Sequence, residues 1–294
     1  MDKYKRWNRR VDSIMREVTY EQIVNAVKIL CMDANYHLNN DVVLAFRDAI
    51  RKEQSEVGKE VLNQLVQNAE IAATEKVPMC QDTGMAVFFV ELGQECHITG
   101  GSLYDAINEG IREGYRDGYL RSSIVQDPLQ RKNTGDNTPG IVHVELTEGE
   151  QCKIHMTAKG FGSENMSRLK MLKPADGIEA VKGFVLETVQ LAGPNACPPM
   201  VVGVGLGGNF EKAAYLAKKS LLRPIGEKNR REDIANLEQE LIEKVNKLGI
   251  GPQGMGGTTT ALDVHIEVFA THIAGLPIAV NINCHASRHK TAHL

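Results

Sequence analysis

Six short segments rich in glycine, proline, asparagine and threonine interrupt this chain, and each lies beside a stretch typical of a β-strand. They are PMCQDTG at 78–84, NTGDNTPG at 133–140, AKGFGSEN at 158–165, NACPP at 195–199, GIGPQGMGG at 249–257 and NINCHASRH at 281–289. Such residues favour turns, and loops at strand ends are where a rigid scaffold commonly places binding residues. We therefore expect a fold that brings these loops together into one large composite site.

Hydrophobic periodicity predicts that helices and strands alternate after a helical beginning. Apolar residues three and four positions apart predict helices over 20–36, 40–54 and 60–73. Later helices are predicted at 102–119, 177–192, 210–222 and 231–247, and strands at 86–92, 141–147, 152–158, 200–204, 264–270 and 278–283. The strands on either side of 148–151 are predicted to form a hairpin. The expected fold class is mixed α/β, a helical N-terminal layer packed on a mixed β-sheet with the active-site loops at strand ends.

Composition and charge exclude several classes of protein. The net charge of −3 argues against a nucleic-acid partner, because phosphates favour a basic surface. No apolar run approaches the roughly 18 residues of a membrane-spanning helix, and the first 20 residues lack the apolar stretch of a secretory signal. Six cysteines at wide, irregular spacings do not resemble a disulfide scaffold. The expected location is therefore the cytoplasm.

Three of the six cysteines lie in the polar loops, namely Cys80, Cys197 and Cys284. The other three, Cys31, Cys96 and Cys152, lie in helix-like or strand-like stretches and are interpreted as small buried apolar residues. Three thiolates would suit a [4Fe-4S] cluster in which one iron has no protein ligand and can act as a Lewis acid. Clusters with four cysteine ligands typically carry electrons, so an electron carrier or redox sensor is the less favoured alternative. The spacing of the cysteines is by itself weak evidence.

Two further motifs suggest different chemistry. The segment GVGLGG at 203–208 matches the dinucleotide-binding pattern after a predicted strand, but the region about 20 residues later, around Glu227, is charged and helix-like where that fold needs a strand ending in an acidic residue. A tight strand-to-helix turn is the preferred interpretation. Near the C-terminus, Cys284, His285, His289 and His293 suggest a zinc site, but their spacing is not that of a zinc module.

The loops as a set resemble the alpha-subunit half of class I fumarases and the related tartrate dehydratases. The resemblance runs from about Met15 to the end of the chain, so residues 1–14 are interpreted as an N-terminal extension and 15–294 as an iron–sulfur hydro-lyase catalytic domain. It implies a [4Fe-4S] cluster held by Cys80, Cys197 and Cys284. It also implies a separate beta subunit that completes the active site, in a higher oligomer of alpha–beta pairs.

The resemblance also implies an activity and a set of site residues. The expected reaction is the reversible hydration of fumarate to L-malate, with tartrate or mesaconate as the alternative substrate of the same family. Gln81, Arg121 and Gly162 are the implied substrate-binding residues. Asp82 is the candidate for proton transfer, acting on a hydroxyl group of the beta subunit, and His272 is the second implied catalytic residue.

Overall fold

The structure, a computed structural model, describes residues 15–294, so the predicted extension over 1–14 lies outside the described residues. Its helices are α1 (Tyr20–Tyr36), α2 (Asn40–Lys52), α3 (Glu56–Glu75), α4 (Leu103–Asp117), α5 (Phe161–Glu164), α6 (Gly177–Ala192), α7 (Phe210–Ser220) and α8 (Glu232–Asn246). Its strands are β1 (Arg16–Thr19), β2 (Met85–Gly93), β3 (Cys96–Thr99), β4 (Ile141–Thr147), β5 (Cys152–Lys159), β6 (Arg168–Leu172), β7 (Met200–Gly208), β8 (Ala261–Thr271), β9 (Leu276–Asn283) and β10 (His289–His293). The mixed α/β class is confirmed, as are the predicted helices and strands, with ends displaced by a few residues. Over the same range, no helix is long and apolar enough to cross a membrane.

The first four-stranded sheet has the order β10-β5-β2-β4. β2 runs parallel to β4 and antiparallel to β5, so the predicted hairpin between β4 and β5 is wrong. The apolar segment Ala86–Val90 of β2 is buried, and a strand that is apolar on both sides is best covered at the centre of a sheet. β2 therefore separates the two strands that are closest in sequence.

Helices α1 and α4 pack together over one face of this first sheet. A Cβ atom on Gly110 or Gly114 of α4 would lie 2.6 Å from Cβ of Val27 or 2.9 Å from Cβ of Cys31, both on α1. These two glycines therefore allow the helices to approach closely. Cys31 is fully buried in their interface, as predicted for a small apolar residue.

The second four-stranded sheet has the order β6-β9-β7-β8, with β7 parallel to β8 and antiparallel to β9. The motif at 203–208 forms the last six residues of β7. A Cβ atom on Gly203 or Gly205 would lie 2.2 Å from the carbonyl oxygen of Ala217 or 2.0 Å from that of Ala213. Gly203 and Gly205 thus let α7 lie directly on the strand. Gly207 and Gly208 have positive φ angles, and only Asn209 separates them from α7, so the tight strand-to-helix turn is confirmed at the end of the motif.

The predicted helical layer is divided between the two sheets. Whereas α1 belongs to the core of the first sheet, α2 and α3 pack on each other and against Ile225 and Leu262, beside the second sheet. The buried carboxylate of Glu53, directly after α2, joins this pair to the loop before β8. It accepts hydrogen bonds from the main-chain N–H groups of Gln54, Ser55, Thr258 and Thr259.

Replacement of Glu53 by glutamine is expected to destabilise the fold. Burial raises the pKa of Glu53, but the hydrogen bonds from Ser55, Thr258 and Thr259 outweigh it and hold the pKa at about 2. A glutamine NH₂ group would face main-chain donors, at a cost of about 1–3 kcal/mol in the free energy of unfolding. Because the pKa is depressed in the folded state, this contribution is present above pH about 4.5 and is lost as the pH falls towards 2.

Denaturant unfolding of wild-type and Glu53→Gln protein at pH 7 and at pH 3 measures this effect. Glu56→Gln is the control. Glu56 is 85% exposed, and Lys59 is its only ion-pair partner among residues 15–294; exposed pairs contribute at most about 1 kcal/mol. Equal destabilisation by the two variants, or a Glu53 effect that does not narrow at acidic pH, contradicts this account.

Candidate active site

The loop that contains Cys80 meets two other polar loops at one end of the strands of the first sheet. Cys80 lies five residues before β2, whose first residue, Met85, pairs with Lys159 at the end of β5. His289, at the start of β10, pairs with Thr157 on the other side of β5. The pairings bring together the segment before β2, the segment after β5 and the segment before β10.

The second sheet brings Cys197 to the same place. Cys197 lies three residues before β7, and Cys284 directly follows β9. Because β7 and β9 are antiparallel, the start of one lies beside the end of the other, with Val201 paired to Asn283. Cys284 also belongs to the segment that leads into β10, so this segment connects the two sheets at the site.

Hydrogen bonds and apolar contacts hold the three cysteine loops together. The main-chain N–H of His285 donates to the carbonyl oxygen of Cys197 at 3.2 Å, and its ring Nδ1 lies 3.1 Å from the same oxygen. Met79 and Ala286 share a small apolar cluster with Cys284. The three cysteines of the site are free thiols, two of them exposed and Cys284 partly buried.

The thiol of Cys197 is close enough to charged groups for them to affect its ionisation. Burial raises its pKa, and the negative charges of its neighbours raise it further. Those neighbours are Cys284, Cys80 and Asp82. The three predicted cysteines and the predicted proton-transfer residue therefore lie around one site.

The backbone of this site includes two non-glycine residues in the left-handed region. Cys197 has φ 51° and Gln253 has φ 52°, a conformation that is uncommon outside glycine and that recurs at functional sites. The side-chain amide of Gln253 donates to the carbonyl oxygen of Pro198 at 2.8 Å and lies 3.1 Å from Nδ1 of His285. Gln253 thus joins the segments that carry Cys197 and Cys284.

Asp82 is held in a fixed orientation by main-chain donors. Its Oδ1 accepts the N–H of Gly84 at 2.9 Å, and its Oδ2 accepts the N–H of Phe161 at 2.8 Å. The carboxylate lines a cavity of about 540 Å³. The other residues around this cavity include Met85, Ser123, Ile124, Arg131, Phe161 and Asn165. The cavity has room for a small dicarboxylate beside the cysteine loops.

The predicted substrate-binding residues lie around Asp82. Gln81 is exposed between Cys80 and Asp82. The exposed residue Arg121 is tied to the same loop, because its carbonyl oxygen accepts the Thr83 hydroxyl at 2.9 Å. Gly162 is exposed, and a Cβ atom there would lie 3.4 Å from the carbonyl oxygen of Asn195, two residues before Cys197.

His272 is the exception among the predicted residues. It is exposed in the turn between β8 and β9, beside a separate cavity of about 360 Å³. Cys284 follows the opposite end of β9, which has eight residues and therefore spans about 23 Å at roughly 3.3 Å per residue. Within a single chain, His272 does not approach the cysteine loops, and its catalytic role stays a prediction.

Two buried cationic residues at the site were not predicted from the sequence. Lys159 is 1% exposed, and its Nζ lies 2.9 Å from the Ser163 hydroxyl and 3.3 Å from the Glu164 carboxylate. Burial lowers its pKa to about 8, although the negative charge of Glu164 opposes the shift. Arg288 is 2% exposed, and its Nη1 donates to the carbonyl oxygen of Asp82 at 2.6 Å. Lys159 lies in the polar loop at 158–165 and Arg288 in that at 281–289. The turn-rich composition of these loops indicated the right segments but did not distinguish the two residues from their neighbours.

Free thiols are ligands of the kind that an iron–sulfur cluster takes. Within 15–294, no group of three or more His, Cys, Asp or Glu side chains is arranged to hold one metal ion. His289 and His293, considered for zinc, belong to strand β10. Thiolates are the preferred ligands of iron–sulfur clusters, and a cluster spreads its ligands more widely than one ion does. Three free thiols on loops from two sheets suit such a group.

The cavity at Asp82 is a cleft lined by a carboxylate that main-chain donors fix, and the loops beside it carry three free thiols. Such an arrangement is typical of an enzyme active site. Comparison with known proteins agrees: the family model described as fumarate hydratase (fumerase) matches residues 24–293. The chain therefore belongs to the fumarate hydratase family and is a hydro-lyase.

Individual relatives cover nearly the whole chain. A Methanocaldococcus jannaschii protein, provisionally named L(+)-tartrate dehydratase subunit alpha, is 45% identical over 274 residues, covering 91% of this chain and 95% of its own. The L(+)-tartrate dehydratase alpha subunits of Escherichia coli and Shigella boydii are 34% identical over 287 residues, covering 95% of this chain and 94% of theirs.

Proposed function

We propose that this chain is the alpha subunit of a [4Fe-4S]-dependent fumarate hydratase, which catalyses the reversible hydration of fumarate to L-malate. The observation that carries the proposal is the convergence of three cysteine loops, from both four-stranded sheets, on the carboxylate of Asp82. Membership of the fumarate hydratase family supports the same chemistry.

Cys80, Cys197 and Cys284 are the proposed cluster ligands. When bound, a cluster with three protein ligands supplies an open iron that can act as a Lewis acid on a substrate oxygen. The protein's part is to fix the thiolates in space, and the bonds from His285 and Gln253 to the Cys197–Pro198 segment do so. Cys197 itself is exposed and has a left-handed backbone conformation.

The residues around the cleft are proposed to bind the substrate and to transfer a proton. Asp82 has both oxygens oriented by main-chain donors, so it can hold a proton at a defined place, as a general acid or base must. The guanidinium of Arg121 offers paired donors for a carboxylate. Gln81 and the main-chain N–H of Gly162 add neutral donors for charge that develops on the substrate.

A separate beta subunit is proposed to close the cleft. Cys80, Cys197, Gln81 and Arg121 are exposed in this chain, whereas hydration chemistry needs a site from which bulk water is excluded. The relatives in Methanocaldococcus jannaschii and Escherichia coli are named as alpha subunits. The second subunit would bring further cationic side chains and the hydroxyl group that Asp82 assists, in a higher oligomer of alpha–beta pairs.

The chain alone is expected to have at least about 100-fold lower hydratase activity than its complex with the beta subunit, the scale of losing one set of preorganised donors. A candidate beta subunit from the same organism is co-produced with the chain, and complex formation is followed by size-exclusion chromatography. Activity is measured after anaerobic reconstitution of both samples. Full turnover by the cluster-loaded chain alone contradicts the two-subunit proposal.

L(+)-tartrate is the second candidate substrate, because the relatives described above are named as L(+)-tartrate dehydratase subunits. Its dehydration makes the same demands on the cleft, an acid or base and donors for two carboxylates. The test is to assay fumarate, L(+)-tartrate and mesaconate side by side with one reconstituted preparation. The proposal expects the highest kcat/KM for fumarate, and a higher value for L(+)-tartrate would replace it by the second candidate.

A further inference from the structure

Arg288 is a buried cation for which the described part of the chain provides no carboxylate partner. Its side chain is among the largest fully buried ones, yet no Asp or Glu oxygen in residues 15–294 lies within 4.0 Å of its nitrogens. Its Nη1 donates to two neutral oxygens, the carbonyl of Asp82 at 2.6 Å and Oδ1 of Asn35 at 3.0 Å. Its Nε has no hydrogen-bond partner within the same residues.

The other strongly buried cations of the described chain are paired. Lys159 lies 3.3 Å from the carboxylate of Glu164, and Arg223 forms an ion pair with Glu238. A buried charge without an opposite charge is strongly destabilising, because neutral hydrogen-bond partners replace only part of the hydration that it gives up. Arg288 therefore differs from these two cations, because no carboxylate of the described residues is in ion-pair contact with it.

Arg288 lies in the segment that follows Cys284 and makes one of its contacts in the loop that carries Cys80. Arg288 follows Cys284 by four residues and binds the main chain two residues after Cys80. A Cβ atom on Gly160 would lie 3.2 Å from Oδ2 of Asp82 and 3.3 Å from Nη2 of Arg288. The guanidinium thus lies between two of the three cysteine loops.

We propose that Arg288 is a positioning residue and the counter-charge of the cluster site. Its guanidinium holds the Cys80–Asp82 segment against α1 and the Cys284 segment through neutral oxygens, and its charge stabilises the negative charge that the thiolates bring with a bound cluster. The inference rests on the proposed function, since the counter-charge has a role only if these cysteines hold an anionic group. Arg288 acts on the site through the loops and need not touch the substrate.

The test uses the full-length chain co-produced with its proposed beta subunit and reconstituted anaerobically. Arg288→Met and Arg288→Gln remove the charge, Arg288→Lys keeps it, and Arg223→Met removes a buried cation remote from the cysteine loops as the control. Two quantities are measured: the midpoint reduction potential of the cluster, by redox titration followed by electron paramagnetic resonance, and the rate of cluster loss to an iron chelator.

The neutral variants are expected to shift the reduction potential of the cluster to more negative values. Reduction adds negative charge to the cluster, and the cation that stabilised this charge is absent in these variants. They should also lose the cluster about 10-fold faster or more, the usual scale for removing a residue that supports metal ligands. Arg288→Lys should have a reduction potential close to that of the wild type. Arg223→Met should match the wild type in both the reduction potential and the rate of cluster loss.

Unchanged potential and retention in loaded Arg288→Met and Arg288→Gln proteins would overturn the inference while leaving the cluster proposal intact. An equal shift in Arg223→Met would overturn it as well, because the effect would then not be local. If both neutral variants fail to fold, Arg288 is a folding residue of the cluster-free chain and the inference is wrong. Wild-type protein that takes up no cluster overturns the proposed function itself, and this inference with it.

Discussion

Serine at Cys80, Cys197 or Cys284 is expected to abolish both the brown absorbance of the reconstituted protein and its hydratase activity. These three thiols lie on converging loops. A cluster with only three protein ligands is expected to be lost when one of those ligands is removed. Serine oxygen is a harder and weaker ligand for such iron than thiolate sulfur. Iron and sulfide content, visible spectra and turnover of each variant after anaerobic reconstitution measure the effect.

The same substitution at the remaining cysteines is the matched control. These are Cys31, Cys96 and Cys152, of which the first and last are fully buried and the second partly buried. They lie in the core of the first sheet, so their serine variants should load a full cluster and retain activity, with some loss of stability. A full-strength cluster in any variant of the first three would remove that residue from the ligand set.

Asparagine at Asp82 is expected to lower turnover by about 100-fold or more, the usual scale for a general acid or base. The side-chain oxygen of asparagine can still accept one of the two main-chain N–H bonds that now orient Asp82. Folding and cluster content should therefore be close to wild type, and the loss should lie in kcat. Steady-state kinetics of the loaded variant, normalised to its iron content, measure this effect.

Asp176→Asn is a suitable control for Asp82→Asn. Asp176 also accepts a main-chain N–H, that of Lys173 at 2.8 Å, but it precedes α6 and is not among the residues of the cleft. Its variant should turn over at the wild-type rate. Near-normal turnover by loaded Asp82→Asn protein would exclude Asp82 from proton transfer, whereas loss of the cluster would assign it to cluster support.

The long helices and the buried strands were predictable because their signal is local. α1, for example, has apolar residues at helical spacing and a capping box between Thr19 and Gln22 at its start, and both features are visible in consecutive residues. The short strands β1, β3, β6 and β10 were missed. Each has five residues or fewer, and such strands are stabilised by their partners more than by their own pattern.

The wrong hairpin and the glycine motif share one cause. β4 and β5 have the spacing of a hairpin, but β2 lies between them and pairs with both. The glycines at 203–208 satisfy a dinucleotide pattern, but their reason is the approach of α7. In each case the deciding contact involves residues distant in sequence.

The sequence by itself determined the α/β class, the six polar loops and, through their resemblance to a family, the three cysteines and Asp82. Only the tertiary structure decided what surrounds them. It buried Arg288 without a carboxylate partner among the described residues, placed Gln253 between the segments of Cys197 and Cys284, and left His272 at the far end of β9. The physical reason is that a motif specifies chemistry along the chain, whereas burial, charge pairing and distance arise only when sheet order brings separate segments together.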